Sequence, residues 1–145
     1  MKVVLYQPQI PWNTGNIART CVATNTPLVL VEPLGFQVDE KSVKRAALDY
    51  WYELEPKIIS SLDEIVRDER CWFFTKHATQ SYTDVKYSAD DVLVFGSEVD
   101  GLPEEVLKRY PERCVQIPMW GKTRCLNLST SVGIGLYEAY RQVKV

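Results

Sequence analysis

The chain has 145 residues with 17 Lys and Arg against 19 Asp and Glu, a net charge of −2, 46% apolar and 25% charged residues. That is one ordinary globular domain spanning 1–145, large enough for a core without metal or disulfide staples. No apolar run reaches the ~18 residues that cross a bilayer, and the opening MKVVLYQPQIPWN lacks signal-peptide features, so no membrane association and a cytoplasmic location are expected. Cys21, Cys71, Cys114 and Cys125 form no C-x-x-C pair, and the one histidine, His77, is close to none of them in sequence. No metal site is therefore expected, and the cysteines read as reduced. The slight acidity disfavours a wholly basic nucleic-acid-binding surface but leaves room for a local basic patch.

In chain order, residues 3–6 read as a short buried strand, followed by Pro8 and Pro11. Asn13, Thr14, Gly15 and Asn16 read as a turn and helix start, with a helical pattern over 17–24. A strand over 28–31, a short helix over 42–50, and a helix through Arg67 opened by the Ser61–Glu64 capping pair follow. Strands are expected over 71–75, 92–95 and 115–118, a helix beginning at Pro103, and a last helix over 129–143. Strands alternating with helices predict an α/β fold: a mostly parallel sheet covered by helices on both faces.

Three loops carry unusual chemistry. In the first, the helix start at 13–16 offers free N–H groups to an anion, and Arg19 stands about one turn further on. The same residues also fit a plain helix start with a surface arginine. In the second, 95–103, Gly96 would admit a ligand to the backbone, Gly101 would permit a sharp turn, and Glu98 could accept from backbone or ligand donors. It fits a plain strand–helix connector equally well. The third runs from Ile117 to Ser131, with Asn127, Ser129, Thr130 and Ser131 as candidate capping groups. Gly133 and Gly135 inside the last helix each cost ~1 kcal/mol relative to Ala, which suggests close packing against a neighbour. Phosphate-loop, dinucleotide-binding and serine-hydrolase fingerprints are all absent from the sequence.

Those loops, as NTGNIAR (13–19), FGSEVDGLP (95–103) and RCLNLSTSV (124–132), resemble the three motifs of the SPOUT methyltransferases. With EPLGF (32–36), RAALDYW (45–51), IPM (117–119) and LYEAYRQ (136–142), the whole chain resembles the tRNA (cytidine/uridine-34) 2′-O-methyltransferases. The resemblance implies a C-terminal trefoil knot, a homodimer whose active sites draw on both subunits, and S-adenosylmethionine as methyl donor. It implies cofactor contacts from Phe73, Phe74, Thr75, Gly96, Glu98, Ile117, Cys125, Leu126 and Ser131. At Cys125 related enzymes carry Ser, so a hydroxyl contact there would weaken while a backbone contact would persist.

Arg19 matches the family's catalytic arginine, Asn13 a loop-orienting residue of the same motif, and Tyr137 a tyrosine tied to catalysis or substrate placement. Because arginine stays protonated in proteins, a phosphate clamp suits Arg19 better than a base. For tRNA the candidate contacts are Arg19, Lys41, Lys44, Arg45, Lys122 and Arg124, although the 41–45 cluster also reads as a solvated helix face. The competing functions are the same reaction on ribosomal RNA, an RNA-binding protein without catalysis, and an ordinary nucleotide-binding module.

Overall fold

The computed structural model describes every residue except Glu40, Leu48, Asp49 and Val145; the side chains of Lys44, Ala46 and Ala47 also lie outside the described set. Six strands form one parallel sheet: β1 (Lys2–Tyr6), β2 (Leu28–Val31), β3 (Lys57–Ile59), β4 (Cys71–Phe74), β5 (Val92–Phe95) and β6 (Cys114–Val115). The spatial order is β3-β2-β1-β5-β4-β6. Register is set by pairs such as Val4 with Val29 on one side and Val4 with Val94 on the other. β2, β4 and β5 are buried throughout, as strands covered on both faces must be.

Side-chain alternation along each strand divides the core into two layers. Val3, Leu5, Leu30, Trp72, Phe74, Leu93 and Phe95 pack beneath α1 (Pro11–Ala23), α2 (Lys41–Ala47), α3 (Tyr50–Leu54) and α6 (Leu128–Lys144). Val4, Val31, Cys71, Phe73, Val92 and Val94 pack beneath α4 (Asp63–Val66) and α5 (Glu104–Arg109). The expected two-faced parallel sheet is therefore present. Among the described residues no helix is long and apolar enough to cross a membrane.

Several boundaries differ from the sequence reading. α1 starts at Pro11 with Ile10 as its cap, so Asn13–Asn16 are helical rather than a turn and Arg19 lies two turns in. Proline is pre-organised for the first helical position, and that outweighs the weak turn preference of Asn and Gly. Of the helix expected over 42–50, α2 covers Lys41–Ala47 and Tyr50 belongs to α3, while 48 and 49 lie outside the described residues. β3, a three-residue edge strand, and the extent of α3 beyond Tyr50 were not anticipated. Pro103 precedes α5 in an extended conformation (φ −59°, ψ 132°) instead of beginning it. The Ser61–Glu64 capping pair forms in part: the Glu64 carboxylate accepts from Ser61 N–H at 3.1 Å, whereas Ser61 Oγ accepts from Asp63 N–H at 3.2 Å and not from Glu64 N–H, and Leu62 takes the cap position.

Chain order reverses between the central neighbours: β1 leads outward to β2 and β3, while β5 adjoins β4 and β6. Such a reversal leaves a crevice outside the carboxyl ends of the strands. The loops following β1, β4, β5 and β6 all emerge at that edge.

Candidate active site at the carboxyl edge of the sheet

One carboxylate ties these loops together. Glu98, in the loop after β5, accepts backbone N–H from Gln9 (2.9 Å) and Ile10 (2.8 Å), immediately before α1. Its second oxygen also accepts from the Asn13 amide at 3.2 Å. Asn13 Oδ1 in turn accepts from the Asn127 side chain at 3.1 Å. Asn127 Oδ1 caps α6 by accepting from Ser129 N–H (2.9 Å) and Thr130 N–H (3.2 Å). A continuous polar relay thus joins the start of α1, the loop after β5 and the start of α6, the three segments singled out in the sequence. Asn13 is 2% exposed, so its amide depends on these partners.

Glu98 thus accepts three hydrogen bonds from the protein's own chain, two from backbone N–H groups and one from a side-chain amide. At Gly96 a Cβ would lie 2.2 Å from the Gly101 carbonyl carbon, so the returning loop itself requires a glycine. Gly101 takes φ +67°, the sharp turn expected of it. Ser97 and Gly101 close the loop with reciprocal backbone bonds of 3.3 and 3.1 Å.

Around the relay lies a cleft of about 1350 Å³. It brings together Asn13, Phe74, Thr75, Gly96, Glu98, Ile117, Arg124, Cys125, Leu126 and Ser131 of the anticipated residues. Phe74 stacks on Phe95 at 4.5 Å between centroids. Gly135 lets α6 lie against that pair, since a Cβ would sit 2.7 Å from the Phe74 ring. Phe73 is not brought into the cleft: it points to the opposite face, buried and stacked on Tyr110 at 5.7 Å. Lys76, His77 and Met119 line the cleft without having been singled out as site residues. Lys76 and His77 directly follow the expected 73–75 segment, which was the available signal.

The volume exceeds the usual ~300–1,000 Å³ of small-molecule pockets. The mixture fits a nucleoside carrying an amino-acid arm, as in S-adenosylmethionine. Phe74, Ile117 and Leu126 offer an apolar surface for a flat ring, and exposed Lys76 offers charge for a carboxylate. Cys125 is an exposed thiol in this lining, whereas Cys21, Cys71 and Cys114 are buried. Burial pushes the Cys21 and Cys71 thiols up to about 12.

Arg19 and Tyr137 stand elsewhere. They line a separate depression of about 520 Å³ with Asn16, Tyr50, Ser129 and Thr130, between α1, α3 and α6. Tyr137 is 56% exposed there. Lys41, Arg45 and Lys122 are exposed and line neither cavity, and the Lys44 side chain lies outside the described residues.

Residues 1–137 match the SpoU rRNA Methylase family, and the chain belongs to that family of methyltransferases. A Bacillus subtilis protein named putative tRNA (cytidine(34)-2′-O)-methyltransferase is 46% identical over 148 residues, covering 98% of this chain and 92% of the relative. A tRNA (cytidine(34)-2′-O)-methyltransferase of Methylovorus glucosotrophus is 42% identical over 144 residues, covering 97% and 94%. A solved structure described as giving insight into 2-OH methylation of C/U34 on tRNA superposes with a TM-score of 0.91 at 44% identity, covering 97% of this chain and 94% of that one. An AdoMet-bound rRNA methyltransferase from Sinorhizobium meliloti superposes at 0.85 with 26% identity, covering 97% of this chain and 55% of that one.

Proposed function

We propose that this chain methylates the ribose 2′-hydroxyl of the tRNA wobble nucleotide, cytidine or modified uridine at position 34, using S-adenosylmethionine, as a homodimer in the cytoplasm. The observation that carries the reading is the Glu98–Asn13–Asn127 relay, which gathers three distant motif loops around one cofactor-sized cleft. Near-full-length likeness to relatives named for this reaction supports the same substrate.

Bound in the cleft, S-adenosylmethionine supplies an activated methyl group. Phe74, Ile117 and Leu126 would hold the cofactor in the cleft, and the protein would align the attacking oxygen with the methyl group. The Arg19 guanidinium grips the phosphate beside the target ribose and stabilises the charge developing on the oxygen. Tyr137, in the same depression, positions the nucleotide.

Within one chain Arg19 lies outside the cofactor cleft. A second copy is therefore assigned to bring its guanidinium to the first copy's cofactor. Exposed Trp12 and Tyr137, 57% and 56% accessible, and Tyr50 provide apolar surface on that side for the partner. The C-terminal knot belongs to the same proposal. β6 pairs with β4 at the sheet edge, yet α6 returns to pack on α1 and β5, so segment 116–127 must cross back over the strand ends.

Methyl transfer from labelled cofactor to total tRNA, with mapping of the modified ribose, tests the function. Label at ribose 34 is expected; label confined to ribosomal RNA, or no transfer, overturns the assignment. Arg19→Ala should cut turnover at least about a hundredfold while leaving cofactor affinity nearly unchanged. Equal loss of both would remove Arg19 from the reaction. Activity should also fall steeply with salt if Lys41 and Arg45 contact phosphates.

A further inference from the structure

Segment 116–127 does more than line the cleft. Met119 and Arg124 face the cavity, and between them the chain runs outward through Trp120, Gly121, Lys122 and Thr123. Trp120 is 91% exposed, the highest figure among the large hydrophobic side chains described. A Cβ on Gly121 would meet nothing within 4 Å, so the tip stands clear of the body of the protein. The Thr123 hydroxyl donates to the Cys125 carbonyl at 3.1 Å and folds the chain back into the cleft. From 114 to 137 the sequence contains Lys122 and Arg124 but no Asp or Glu, in a chain whose net charge is −2.

An indole left in water on a segment that carries two cations and no carboxylate of its own has the chemistry of a single-stranded nucleic-acid contact: a ring for a base face, with cations for the flanking phosphates. We propose that Trp120 stacks on the unpaired nucleobase next to the methylated nucleotide, while Lys122 and Arg124 hold the adjoining phosphates. Trp120 is then a substrate-positioning residue, and the inference rests on the proposed function. A ribose presented from an RNA loop needs its neighbour held as well, because the reacting oxygen tolerates little displacement. The indole supplies that hold without reading sequence, since every base has a face to stack on.

The test measures methyl transfer to an anticodon stem-loop RNA by wild type, Trp120→Ala and Trp120→Phe, with cofactor affinity and sedimentation in parallel. Trp120→Ala should raise KM for RNA about tenfold, within the ~1–3 kcal/mol of one stacked base, with kcat at saturating RNA and cofactor Kd unchanged. Trp120→Phe should recover most of the loss. An RNA with an abasic residue beside the target should show the same rise with wild type and no further rise with Trp120→Ala. A wild-type KM in Trp120→Ala, an equal loss of cofactor affinity, or dissociation of the oligomer each overturns the inference. If wild type methylates the RNA while Trp120→Ala matches it, the function stands and the stacking role alone falls. If wild type does not methylate it, both fall.

Discussion

Each end of the sheet holds a carboxylate that accepts backbone N–H groups, and the two are built differently. At the amino end, Asp91 is 1% exposed, accepts from the Trp72 indole and Ser88 N–H at 2.8 Å each, and pairs with Arg70 at 3.5 Å. Among the described residues the partners of its carboxylate all lie within 70–91, so that side chain staples one local segment. At the carboxyl end, Glu98 is half-buried, joins residues up to 89 positions away, and among the described residues has no cationic partner. The first arrangement secures the fold. The second fixes the relative position of loops that a ligand must find already assembled.

This contrast can be broken most readily by removing the two carboxylates in turn. Asp91→Ala strands a buried indole N–H and an amide and removes the carboxylate that pairs with Arg70, so urea denaturation should show a loss of about 3 kcal/mol. Its cofactor affinity should stay within about twofold by calorimetry. Glu98→Ala should cost about 1–2 kcal/mol, because water can reach the exposed Gln9 N–H, but should weaken cofactor binding about tenfold. Similar cofactor losses in both variants would erase the distinction.

The two glycines of α6 sharpen it on a smaller scale. Gly135→Ala forces a methyl into the Phe74 ring beside the cleft and should cost about 1–3 kcal/mol along with some cofactor affinity. Gly133 has open space within 4 Å, so Gly133→Ala should gain up to about 1 kcal/mol from helix propensity. A loss at Gly133 would locate another subunit against that face.

Thiol chemistry gives the mildest probe. At pH 8 an alkylating reagent should modify Cys125 while leaving Cys21 and Cys71 as unreactive buried thiols. Cofactor at ten times its Kd should slow Cys125 labelling about tenfold; undiminished labelling would place the cofactor elsewhere. The Cys21 and Cys71 thiols lie above their ordinary 9.0 in the folded protein. Their burial therefore leaves stability intact below pH 9.0 and erodes it as pH rises from there towards about 12, which pH-dependent denaturation would register.

Continuous apolar runs made β2, β4 and β5 legible, because strands buried on both faces need no polar positions. β3 and α3, at three and five residues, are too short to display a period. Alternation could have separated Phe73 from Phe74: in a strand, neighbours face opposite layers, so only one of the two can point its side chain into the cleft. Glu98 stood out by its loop, but its partners at Gln9, Ile10 and Asn13 carry no local sign of the pairing.

By itself the sequence determined the two-layered parallel sheet, the three loops of unusual composition and the family they resemble. These follow from short-range sterics, burial periodicity and motif order. Only the tertiary structure decided that the strand order reverses beside β1, that Glu98 and Asn127 meet at Asn13, and that Arg19 lies apart from the cleft. Such meetings depend on which distant strands pair, and strand pairing joins backbone groups that every residue shares.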